Sequence, residues 1–98
     1  MTTKYKYELT IIAPEELTVL DKIALEDTIK RYGRLTKRVV DGRKRLAYPI
    51  RNIEWGLYLY YELDIERDKV SKLSYELNIN DNILRYLMVQ ADTRGERR

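Results

Sequence analysis

From Leu57 to Ile65 the chain reads LYLYYELDI, with Leu57, Leu59, Tyr61, Leu63 and Ile65 at every second place. Strict alternation over nine residues describes a strand with one buried face, and it leaves Tyr58, Tyr60, Glu62 and Asp64 on the other side. A strand that is dry on one side needs neighbours and a covering layer. Both must come from a chain of 98 residues, a length that fits one ordinary domain.

The neighbours are readable. Tyr5 to Ile12 alternates in the same way, with Tyr5, Tyr7, Leu9 and Ile11 on one face and Lys6, Glu8 and Thr10 on the other. Ala13-Pro14 ends that strand. Thr18 followed by Asp21 is a capping-box-like start for a helix running to about Tyr32, stopped by Gly33. Its apolar residues form two stripes, Leu17, Leu20, Ile23 and Ala24 against Leu25, Ile29 and Tyr32, so the pattern leaves open which side is buried. Leu35 to about Ile50 is too polar for a buried helix and suggests a long strand, bent or bulged at Asp41-Gly42, with Pro49 marking a sheet edge. Asn52 to Gly56 reads as the turn into the strongest strand. Asp68 is placed to cap a second helix whose Val70, Leu73 and Leu77 make a one-sided stripe. Asn78 to Asn82 is turn chemistry, and Ile83 to Ala91 a last strand.

The order β-α-β-β-α-β predicts an α+β, ferredoxin-like split sandwich, an antiparallel four-stranded sheet with two helices on one face. Residues 1–92 form the expected single domain and 93–98 a short polar basic tail. With helices on one side, the other face of the sheet is free to bind something.

Several kinds of chemistry are excluded or unsupported. The chain has no cysteine, hence no disulfide, thiol nucleophile or Cys-based zinc site, and no histidine, the commonest general base and metal ligand. A phosphate-binding Gly-rich loop, a GxSxG elbow and a carboxylate pair in an apolar setting are missing. No catalytic residue, metal, cofactor or small-molecule substrate is expected. The N-terminus, MTTKYKYELTIIAPEE, holds no apolar run of the kind a signal peptide or membrane span requires. The expectation is a mature cytoplasmic chain, or one made inside an organelle, with no membrane partner.

What remains points to binding. The formal charge is +3, yet Lys30 to Arg45 holds eight basic residues against Asp41 alone, a local +7 on a body that otherwise sums to −4. Such a block suits docking to a polyanion through release of phosphate counterions; a solvated helix end and strand is the plain alternative. Nine Tyr, one Trp and no Phe keep a polar group on every ring, as wet interfaces favour, although Tyr is also a good strand residue. On the last strand, Arg85, Leu87 and Val89 alternate with Tyr86 and Met88, so both faces are largely apolar. One of them is spare for a protein partner unless the strand lies deeper than its position implies.

The run Gly42 to Ile50, GRKRLAYPI, resembles the most characteristic segment of the bacterial small-subunit ribosomal protein six family. ELNINDNILRYLMV (Glu76 to Val89) is similar to that family's passage from second helix to last strand, and Tyr7-Glu8 and Tyr32-Gly33 sit at fitting distances. The resemblance covers nearly the whole chain. It implies a structural constituent of the small ribosomal subunit that binds the central domain of the rRNA together with ribosomal protein eighteen. By position it implies that Arg43, Lys44, Arg45 and Arg51 face RNA, and that Tyr48, Tyr60, Arg85, Leu87 and Val89 lie in or near the partner surface. The chain departs from the family pattern at Asp41, where many members have an aromatic residue, at Glu15-Glu16 before a short first helix, and in a tail carrying Arg94, Arg97 and Arg98. An RNA-recognition motif shares the element order, but Leu57 and Leu59 stand where its aromatics belong and Trp55 where it has a basic residue. A self-associating or small-molecule-sensing ferredoxin-like domain remains the other alternative.

Overall fold

The structure is a computed structural model, and it describes residues 4–91. The predicted tail at 93–98 lies outside the described residues. Six elements follow in the expected order: β1 (Lys4–Ala13), α1 (Val19–Tyr32), β2 (Gly33–Ile50), β3 (Ile53–Glu66), α2 (Arg67–Asn78) and β4 (Arg85–Gln90). The sheet runs β2-β3-β1-β4, and every pairing is antiparallel. This is the ferredoxin-like arrangement, with the patterned strand β3 inside the sheet and the basic strand β2 at its edge.

Alternation places the core as expected. Leu9 and Ile11 of β1, Leu59, Tyr61, Leu63 and Ile65 of β3, Leu25 and Ile29 of α1, and Leu73 and Leu77 of α2 are buried together on the helix side. Tyr86 and Met88 of β4 pack against them. Of the two stripes on α1, the one carrying Leu25 and Ile29 is buried, whereas Leu20 and Ile23 are exposed. The packed side also holds Tyr32, whose hydroxyl donates to Glu76 of α2 at 3.2 Å.

Local rules explain most boundaries. Thr18 caps α1 in a reciprocal box: its Oγ1 accepts from the Asp21 N–H and its own N–H donates to Asp21 Oδ2, each at 3.1 Å. Gly33 ends the helix by passing directly into extended β2 at φ −152°. Four boundary expectations shift. The turn expected over Asn52 to Gly56 is a two-residue hairpin loop at Arg51-Asn52, both at positive φ (52° and 66°), with Ile50 paired to Ile53. Trp55 and Gly56 therefore belong to β3. Asp68 does not cap α2: the cap residue is Glu66, with no side-chain cap bond, and Asp68 sits in the first turn, where its charge favours the helix dipole. Ile83 and Leu84 precede β4 rather than opening it, because Ile83 closes a turn onto the Asn80 carbonyl.

β2 is irregular, with register shifts between Leu35 and Lys37, between Val40 and Gly42, and between Arg45 and Ile50. The middle one is the bulge expected at the glycine; Gly42 takes φ +87°, a conformation that strains any residue with a Cβ.

Candidate nucleic-acid and partner interface

The sheet face away from the helices is assembled from the other half of each alternation. Pairing sets Glu8, Thr10 and Ile12 of β1 beside Glu62, Tyr60 and Tyr58 of β3 on one side, and beside Val89, Leu87 and Arg85 of β4 on the other. Leu87 is 63% exposed and Val89 43%. Thr10, Ile12, Arg85, Tyr86 and Leu87 line an apolar depression of about 360 Å³ at this edge. The alternation read from Tyr5 to Ile12 gives Ile12 no face, although the signal is present: of two adjacent isoleucines, one must face away from the core.

Tyr60 stands near the middle of this face and donates its hydroxyl hydrogen to Glu62 Oε2 at 3.0 Å. Desolvation, reinforced by Glu62 and Glu8, pushes that hydroxyl up to about 12. Leu46, from the characteristic LAYPI run, is buried apart from the main core. It lies over Gly56, where a Cβ would come within 3.0 Å of Ile12 Cγ2 and 3.4 Å of Leu46 Cδ2. The glycine is needed for the close approach of β1, because an added Cβ would press on Ile12 Cγ2 and on the Ala13 carbonyl oxygen at 3.1 Å, whereas its contact with Leu46 would be an ordinary one. Tyr48, two residues on, is 77% exposed.

The basic residues separate. Arg43 pairs with Leu57 and Arg45 with Trp55, which places both on the helix side of β2, whereas Lys44, opposite Gly56, is on the open side. Arg43 stacks on the Trp55 ring at 4.0 Å and is ion-paired with Glu15; Lys44 lies over Tyr58 at 5.5 Å and reaches Asp41 at 3.5 Å; Arg45 reaches Glu54 at 3.6 Å. All three cations are exposed, so each pair contributes about 0–1 kcal/mol and yields readily to a better anion. Arg51 does not join the triplet. From the hairpin tip it lines a cavity of about 310 Å³ with Asn78 and Arg85, so two residues assigned to different partners share one site. Their meeting depends on how the hairpin lies against β4, which spacing along the chain does not encode.

Among the described residues no cluster of three or more Asp or Glu side chains is arranged to hold a metal ion, and no helix is long and apolar enough to cross a membrane. A sheet with a basic edge strand and a partly apolar open face defines a small binding protein of the ferredoxin-like class.

Relatives identify the class more closely. Residues 6–90 match the sequence model of the family described as Ribosomal protein S6, and the chain belongs to that family. It is 42% identical over 94 residues to the "Small ribosomal subunit protein bS6" of Corynebacterium aurimucosum, covering 90% of this chain and 97% of that protein. It is 32% identical over 91 residues to the protein of the same name from Thermus thermophilus, covering 88% and 90%. The crystal structure of ribosomal protein S6 from Thermotoga maritima superposes with a TM-score of 0.83 at 15% identity, over 96% of this chain and 94% of that one, which shows the shared fold. The chain is thus a bacterial-type component of the small ribosomal subunit, structural rather than enzymatic.

Proposed function

We propose that this chain binds the central domain of small-subunit rRNA and ribosomal protein eighteen together, on adjacent surfaces of one sheet. The observation that carries the reading is the division of the sheet: the open side of β4 and β1 exposes Leu87, Val89 and an apolar depression, while edge strand β2 carries Arg43, Lys44 and Arg45. An apolar patch at a sheet edge suits a protein neighbour, and cations suit phosphates. That the triplet leaves β2 on both sides fits a polymer laid along the edge, since side chains on both faces of an edge strand flank the same line. Arg51 and Arg85, sharing a cavity, fall where RNA and partner would meet. Tyr48 and Tyr60 supply rings and a fixed hydroxyl at the partner surface.

The test is titration of the purified chain against central-domain rRNA fragments, with and without protein eighteen, at several salt concentrations. Replacing Arg43, Lys44 and Arg45 by Ala should lower the slope of log affinity against log salt by roughly two to three units. Leu87→Asp with Val89→Asp should weaken capture of protein eighteen by at least about tenfold, roughly 1.4 kcal/mol, and leave the salt slope unchanged. Binding indifferent to both salt and protein eighteen would overturn the proposal.

A further inference from the structure

The cations between Lys30 and Arg45 do not form one patch. Arg34 pairs with Asp64 and Lys44 with Gly56, eight residues apart on β3. At about 3.3 Å per residue that is roughly 26 Å, beyond the ~8 Å over which exposed charges feel one another at physiological salt. The triplet sits at one end of the molecule, and a second group of cations gathers at the other, where α1 stops and β2 begins.

Two adjoining depressions mark this second place. Lys4, Lys30, Arg31, Arg34 and Lys69 line one of about 220 Å³, in which Glu66 is the single lining carboxylate among the described residues. The next, about 430 Å³, is lined by Lys30, Leu35, Thr36, Lys37 and Arg38, and by no acid among the described residues. Lys30 forms the wall between them. Arg31 is paired with Glu76, Lys69 with Glu66 and Arg38 with Glu26. Among the described residues, Lys4, Lys30, Arg34 and Lys37 are in no ion pair, unlike the triplet, whose three members are all paired. Lys30 and Arg31 in the last turn of α1 complement its dipole, and Lys4, Arg34 and Lys37 stand across the ladder from Glu66, Asp64 and Glu62 without closing an ion pair, so their charge stays open to a better-placed anion.

We infer that Lys4, Lys30, Arg34 and Lys37 form a second track for the RNA phosphate backbone, separate from Arg43, Lys44 and Arg45, so that one protein holds RNA at both ends of β2. A single free anion needs one socket with converging, fixed donors. Here the cations are exposed and strung along two depressions with a shared wall, a layout that follows a chain of phosphates. The inference rests on the reading that this chain binds rRNA, and it adds a second place of contact.

The experiment measures binding of the full chain to a central-domain rRNA fragment across a salt series. Combined Lys30→Gln, Arg34→Gln and Lys37→Gln should weaken binding and lower the log–log salt slope by about two units, at about 0.7–0.9 per phosphate contact. Combining them with the Arg43, Lys44 and Arg45 substitutions should give additive losses, because the two groups are far apart. The charge-keeping set Lys30→Arg, Arg34→Lys and Lys37→Arg should bind as the parent does, which separates lost charge from a damaged fold. Unchanged affinity and slope in the glutamine set, with the triplet variant impaired, would overturn this inference and leave the proposed function standing. Absence of salt-dependent binding in the parent chain would overturn both. A parallel titration with inorganic phosphate, followed through the Gly33 and Arg34 amide signals, should show no saturation at concentrations where RNA saturates; saturation there would mark a free-anion site and overturn the track.

Discussion

Gly56 lies where β3, β1 and the end of β2 crowd together, and a Cβ there would stand 3.1 Å from the Ala13 carbonyl oxygen as well as 3.0 Å from Ile12. Backbone cannot step aside as a flexible side chain can, so Gly56→Ala should destabilise by about 1–3 kcal/mol in urea unfolding. Two neighbouring tyrosines make a different prediction. Burial, with Glu62 and Glu8 around Tyr60 and Glu26 near Tyr61, pushes both hydroxyls up from 10.0 to about 12. A group whose pKa is raised by folding stabilises fully below its unfolded value, so this contribution is intact below pH 10 and is lost as pH rises towards 12. Denaturation midpoints across that interval should fall, and Tyr60→Phe or Tyr61→Phe should each make the fall shallower. The facing of both residues was legible, because alternation in β3 is unbroken. The facing of the basic triplet was not. Two bulges in β2, after Leu35 and after Val40, each reverse the in–out phase; only the one at the glycine is legible in the sequence, and counting through it alone puts Arg43 on the wrong face, whereas the two together cancel.

At the scale of the elements, the two helices show where periodicity suffices and where it fails. α2 carries a single stripe, and Leu73 and Leu77 are buried as the spacing implies. α1 carries two, and only packing chooses between them: Leu25 and Ile29 go inside, while Leu20 stays 76% exposed. Thermal or urea unfolding should therefore separate them sharply, with Leu73→Ala costing about 2–5 kcal/mol and Leu20→Ala within about 0.5 kcal/mol of the parent. A comparable loss at Leu20 would mean that the exposed stripe is covered in the folded protein. The capping box of α1 was readable from Thr18 and Asp21 because its bonds are local. The start of α2 was not, since Glu66 ends β3 and begins the helix with no capping side chain to announce it.

For the whole molecule, element order was enough to predict a four-stranded sheet with helices on one side, and the GRKRLAYPI run resembled a family to which the chain indeed belongs. What the order could not convey was the assembly of sites from distant segments: Arg51 beside Arg85, Leu46 and Ile12 meeting at Gly56, and Lys4 in line with Lys30 and Arg34. Each depends on which residues antiparallel pairing and helix docking bring together. The resulting molecule has an apolar edge at β4 and a basic edge at β2, an arrangement suited to holding other components in place. The central claim is best tested by sedimenting a cell extract containing the tagged chain through a density gradient at low and then rising salt. The chain should travel with the small ribosomal subunit at low salt and be released as salt rises; a chain that stays at the top of the gradient at every salt concentration would contradict the account.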